Sequence, residues 1–257
     1  VSAGTAGAWI AFGLYPLSMD EYWAVAGGEI IASGSPMGRL PEEWAPYAEG
    51  LQPIFSRIVP EGYWMSQYLP VNSLLQLLLG PLASPLLAGG AVLITADLAR
   101  RLMPGRGSAP IVCALLMATS SQLLLTAMTP YAMSAHLAFN MGWLWLFLHR
   151  SRIAQIAAVP TAFLATGLHQ FAFFPLFAMP FILEAWLSGR REKAAFHLAT
   201  VGAGVLVWAS YDTLVYAWLE VTPPGATTEA RLAPTLGLTI PEDPVEIPLK
   251  YPAAAAA

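Results

Sequence analysis

The chain has 257 residues, of which 56% are hydrophobic and 11% charged, with a mean hydropathy of +0.57. Soluble domains carry about 25% charged residues, so an ordinary water-soluble globule is excluded, and so much apolar surface equally excludes a disordered chain. The net charge of −4, from 12 Lys and Arg against 16 Asp and Glu, argues against a nucleic-acid partner, which needs a basic face. What remains is an integral membrane protein with several spans.

The apolar runs, in chain order, are Val1–Ser18, Leu69–Ala99, Ala109–Ala127, Tyr131–Leu148, Ile153–Leu168, Phe171–Leu187 and Ala194–Leu219. Each approaches the roughly 20 residues that a helix needs to cross the hydrocarbon core. Val1–Leu17 has no basic n-region, since Arg39 is the first basic residue. It therefore reads as a span rather than a secretory signal. The missing initial Met implies a few residues ahead of Val1. Leu69–Ala99 is too long for one straight crossing, and Pro81 and Pro85 are expected to divide it. Pro160, Pro175 and Pro180 interrupt the fifth and sixth runs, which neighbouring helices can accommodate. The lone cysteine, Cys113, lies in an apolar stretch and reads as a small buried hydrophobe.

Charge sets the orientation. Eight of the 12 basic residues fall in three short loops: Arg100, Arg101 and Arg106; Arg150 and Arg152; Arg190, Arg191 and Lys193. The positive-inside rule places these loops in the cytoplasm. The expectation is an all-α transmembrane bundle of about seven spans over residues 1–219, with the N-terminus inside a bacterial inner membrane. The acidic segment 19–68 becomes an outer loop. Within it Trp23, Ala26 and Ile30 recur at helical spacing beside Glu21 and Glu29, which predicts a short surface helix. Residues 220–257, rich in Pro and Thr, read as an extended outer tail. The closing run Ala253–Ala257 is uninformative, and the natural chain is expected to continue beyond it.

The chemistry-bearing residues crowd the outer side. Asp20 and Glu21 follow the first span, and His169 lies at the turn between the fifth and sixth. His136 lies about 9 Å inside the fourth span, and Asp212 about 10 Å inside the last. Ionisable groups at such depth usually face a bundle interior or a wet cavity. Each also has a plainer explanation: solvated loop acids for Asp20 and Glu21, and a helix-to-helix hydrogen bond for His136. His169 can be a structural turn residue, and Asp212 a member of a specific buried pair. Asp97, with Arg100 and Arg101 at i+3 and i+4, is explained by an interfacial ion pair. No local ligand spacing marks a metal site, although Asp20, Glu21, His136, His169 and Asp212 include the right donor types for a divalent metal.

The acidic pair Asp20–Glu21 leads into a surface helix over Tyr22–Ser33. Tyr68-Leu69-Pro70 opens the second span, and Thr129-Pro130-Tyr131 precedes Ser134 and His136, whose span ends at the basic His149–Arg152. This layout resembles the GT-C class of integral-membrane glycosyltransferases, most closely the bacterial ones similar to protein mannosyltransferases. The resemblance implies transfer of a sugar from a polyprenyl-phosphate donor to an acceptor at the outer face, with inversion. It implies Asp20 as general base with Glu21 in support. Arg57, His136, His169 and Asp212 remain as candidates for the donor phosphate or the cavity wall. Members of the class normally continue with further spans, so the sequence reads either as part of a longer transferase or as a shortened relative. The competing reading is therefore a non-catalytic subunit of a larger membrane complex, of respiratory or photosynthetic type. A lipid-binding protein without chemistry is a third.

Overall fold

A computed structural model of the chain describes residues 1–10, 16–52 and 54–224. Most of the expected 220–257 tail, the run Ala253–Ala257 included, lies outside the described residues.

The first helix, α1, spans Ser2–Ile10. Helix α2, Met19–Ala32, stands where a short helix is expected over Tyr22–Ser33, with Trp23, Ala24 and Gly28 buried. Its start is fixed by a capping-box arrangement: Ser18 Oγ accepts from the Glu21 backbone N–H at 3.4 Å, and Glu21 Oε2 accepts from the Leu17 N–H at 2.5 Å. Segment 19–68 also contains strands that the hydropathy pattern does not announce. Strand β1 (Gly38–Arg39), helix α3 (Ala48–Leu51), and strands β2 (Ser56–Ile58) and β3 (Tyr63–Ser66) follow α2. The strands pair antiparallel in the order β1-β3-β2. Gly62, at φ +78°, turns β2 into β3.

Helix α4 (Val71–Leu79) is separated from α5 (Ala83–Leu102) by one 3-10 turn over Gly80–Leu82. The break falls at Gly80, whose φ of +54° ends α4, and at Pro81, as the prolines implied. Pro85 is taken into the first turn of α5, where a missing N–H costs nothing. Then follow α6 (Ala109–Ala118), α7 (Ser121–Thr126), α8 (Met133–Leu148), α9 (Arg152–Thr166), α10 (Phe173–Leu187), α11 (Arg191–Ala209) and α12 (Tyr211–Leu219).

The fold is thus mainly helical, but its helices are shorter than seven straight crossings require. Among the described residues, only the unit Val71–Leu102 is long and apolar enough to cross a membrane by itself. The pair α11 and α12, bent by 43°, makes a second if taken as one crossing. The rest are shorter. Ala109–Ala127 divides where Ser120 Oγ accepts from the Leu123 N–H, and α8, α9 and α10 have 16, 15 and 15 residues.

Helices α8 to α11 pack around Trp143, which is fully buried. Its ring centroid lies 4.9 Å from that of Phe147, 5.4 Å from Phe174 and 5.6 Å from His197. The buried faces of α9, α10 and α11 are rich in alanine, Ala158, Ala162, Ala165, Ala178, Ala185 and Ala194, set among Phe174, Ile182, Val201 and Trp208. Ile153, Leu176, Leu183 and Leu206 point the other way and are exposed. At one end of the bundle Asp97 accepts from Trp145 Nε1 at 2.6 Å and pairs with Arg100 and Arg101. That is the ion pair its spacing implied.

Candidate functional site

Asp20 stands in the first turn of α2, aimed by the Ser18 cap. Tyr68, between β3 and α4, donates its phenolic proton to Asp20 Oδ1. The Tyr131 side chain also reaches the Asp20 carboxylate. His169, in the turn between α9 and α10, stacks on Tyr68 with centroids 3.9 Å apart, and its Nε2 lies 3.9 Å from Asp20 Oδ2. That distance gives attraction without a hydrogen bond. His136, on α8, lies edge-on to His169 at 6.4 Å, and both rings pack against Phe173.

Backbone bonds fix this meeting of segments. Leu69 N–H donates to His169 O and Val71 N–H to Gly167 O, each at 3.1 Å. The start of α4 is thereby tied to the α9–α10 turn. Asn72 Nδ2 donates to Pro130 O at 3.0 Å, which anchors the corner carrying Tyr131. Gly167 is required by contact: a Cβ there would lie 2.4 Å from Trp208 and 2.7 Å from Val71 Cγ2. Gly167→Ala should therefore cost about 1–3 kcal/mol through overpacking and lower the thermal midpoint. Gly202→Ala, with open space around the new methyl, should not.

The electrostatics follow from burial. The Tyr68 phenol is pushed up, first by burial and then by the Asp20 carboxylate that accepts its proton. The His169 imidazole is pulled down by burial, with Asp20 opposing. The folded chain therefore favours neutral His169. The stability from that preference is whole above the ordinary histidine pKa of about 6.5 and is lost as pH falls below it. The thermal midpoint should drop between about pH 7 and about pH 5, and His169→Gln should make that drop smaller. A midpoint that rises on acidification would contradict the assignment.

Neither ring nitrogen of His136 or of His169 has a hydrogen-bond partner, although all four are buried. Buried polar atoms left in this way are costly and usually mark a water, an ion or a ligand. The space against Asp20 is about 10 Å³, barely one water, because the Tyr68 phenol occupies the carboxylate. A larger apolar cavity of about 310 Å³ opens beside it between α1, α2, α4 and the 128–130 corner. Val25, Leu77, Pro81, Met128 and Pro130 line it, with Glu29 and Gln76 as polar members.

The six residues singled out by sequence divide. Asp20, His169 and His136 come together. Glu21 is buried, and its carboxylate caps α2 instead of facing the histidines. Arg57 on β2 and Asp212 on α12 form an ion pair with each other. That pair lies beside the apolar cluster of Met37, Val59, Tyr216 and Val221. Arg57 is therefore already paired, and Asp212 has a specific partner, but the pair is partly exposed rather than buried. Sequence reasoning missed Tyr68 and Tyr131 as partners of Asp20. Their signal was position, since each phenol immediately precedes a helix opening on the same face. Among the described residues no three His, Cys, Asp or Glu side chains gather as a metal site.

Comparison of the chain with protein-family models, with curated proteins and with solved structures finds no match in any of the three.

Proposed function

We propose that the chain is a membrane-embedded glycosyltransferase of GT-C-like layout, using a polyprenyl-phosphate sugar at the outer face, with Asp20 as general base. The observation that carries this reading is the convergence of Asp20, Tyr68, Tyr131 and two imidazoles without hydrogen-bond partners from separate segments of the chain. Embedding in lipid is supported by the packing. Alanines recur on the buried helix faces and large apolar residues such as Ile153, Leu176 and Leu206 point outward, as expected where helices associate by close contact in a solvent as apolar as leucine. In water, such an outer surface would aggregate.

In this mechanism Asp20 takes the proton from an acceptor hydroxyl as the acceptor oxygen forms its bond to the anomeric carbon. The bond from that carbon to the phosphate oxygen breaks with its electron pair, leaving polyprenyl phosphate and an inverted product. The Tyr68 phenol, donating to Asp20, stands where the acceptor hydroxyl would donate, so Tyr68 must swing aside for the acceptor. His136 and His169 supply ring nitrogens for the leaving phosphate. The adjacent apolar cavity suits an isoprenoid chain. Arg57 joins only if its pair with Asp212 opens.

Native mass spectrometry of the full chain tests the reading with two probes, a polyprenyl-phosphate hexose and the same polyprenol without phosphate. Retention of the first in preference to the second is expected. Equal retention of both would leave a lipid-binding protein without a phosphate site. Retention of neither, with stoichiometric partner subunits instead, would favour the non-catalytic subunit of a larger membrane complex.

A further inference from the structure

At the end of the bundle opposite Asp20, an open pocket of about 720 Å³ lies between the α8–α9 link and the start of α11. Four cations line it: Arg150, Arg152, Arg190 and Lys193, against the single carboxylate of Glu192. Such a concentration is notable in a chain whose net charge is −4. Arg190 pairs with Glu184. Among the described residues Arg150 and Arg152 pair with no carboxylate.

Two helices begin at this pocket, α9 at Arg152 and α11 at Arg191, and neither start is capped by a side chain. Helix N-termini carry unsatisfied N–H groups and partial positive charge, so basic side chains are disfavoured there and anions favoured. Here cations and helix starts are stacked together, an arrangement relieved by a bound anion.

The floor beneath is rigid. Gln155 Nε2 donates to Leu146 O at 3.0 Å and His149 O at 2.6 Å, while Gln155 Oε1 lies 2.8 Å from His197 Nε2. Lys193 Nζ donates to Phe147 O and sits 4.1 Å above the Phe147 ring. Beside the cations the wall turns apolar: Ile156 and Phe196 line the pocket and are exposed.

We infer that this pocket binds the phosphate of an anionic phospholipid. Arg150 and Arg152 hold the headgroup against the two helix starts, and an acyl chain runs along Ile156 and Phe196. A soluble phosphate would use the cations but not the apolar wall. The inference rests on the membrane reading and is independent of glycosyl transfer.

The full chain is reconstituted into phosphatidylcholine nanodiscs, with and without phosphatidylglycerol, and retained lipid is counted by native mass spectrometry after release. Preferential retention of phosphatidylglycerol is expected. The double variant Arg150→Gln, Arg152→Gln should reduce it about tenfold, while Arg106→Gln, in another basic loop, should not. Excess inorganic phosphate should fail to displace the lipid. Failure to enter phosphatidylcholine bilayers would overturn the membrane reading and this inference with it. Entry without a phosphatidylglycerol preference, or with one insensitive to the double variant, would overturn this inference alone. Ready displacement by inorganic phosphate would assign the pocket to a soluble anion instead.

Discussion

Asp20→Asn should abolish sugar transfer while leaving the fold in place. Asparagine keeps the size of the side chain and can still accept the Tyr68 hydrogen bond. It loses the basicity that the proposed mechanism needs to take a proton from an acceptor hydroxyl. General-base catalysis contributes about 10²–10⁴-fold, so turnover should fall by that factor while the thermal midpoint moves little. Tyr68→Phe separates base from gate. It frees the carboxylate of its present donor, so an acceptor no longer has to displace a phenol. Its KM for acceptor should fall or hold, in contrast to the loss of turnover in Asp20→Asn. If Asp20→Asn retained full turnover, the assignment of the base would be wrong.

The largest loss of stability is expected at Trp143→Ala, about 3–5 kcal/mol. The indole is wholly buried and packed by Phe147, Phe174 and His197. Truncation opens a cavity that the alanine seams of α9 and α10 cannot close, because those helices are already in contact through small side chains. Leu206→Ala removes a smaller apolar group from an outward-facing site, 71% exposed. It should cost well under 1 kcal/mol in detergent or bilayer, since lipid replaces the lost contacts. Denaturation midpoints of the two variants measure the difference. A Trp143→Ala protein as stable as Leu206→Ala would contradict the core described above.

Local patterns were readable. Trp23, Ala26 and Ile30 at helical spacing place a helix over Tyr22–Ser33, three residues short of the Met19 start that the Ser18 cap sets, and Asp97 with Arg100 and Arg101 predicts its ion pair, because both depend on neighbours in sequence. The break near Pro81 was legible for the same reason. The strands of segment 19–68 were not. Gly38–Arg39 and Ser56–Ile58 are too short to show alternation, and their pairing with Tyr63–Ser66 is set by turns and by the fold around them. The breaks at Ser120 and Ser210 escaped hydropathy, which averages over a polar residue that ends a helix. At the site, position near the outer ends of the apolar runs singled out Asp20, His136 and His169, which the fold brings together. Position could not separate Glu21, whose carboxylate turns back to its own helix start, nor show that Arg57 and Asp212 would find each other. Those pairings depend on side-chain direction and tertiary distance, which a linear pattern does not encode.

The most direct test of the central claim is turnover by the full chain in proteoliposomes, supplied with a polyprenyl phosphate carrying a labelled hexose. The account predicts release of polyprenyl phosphate with the label passed to an acceptor hydroxyl or to water, and loss of that release in Asp20→Asn. Intact donor after prolonged incubation, in bilayers where the chain is folded and retains the donor, would contradict it.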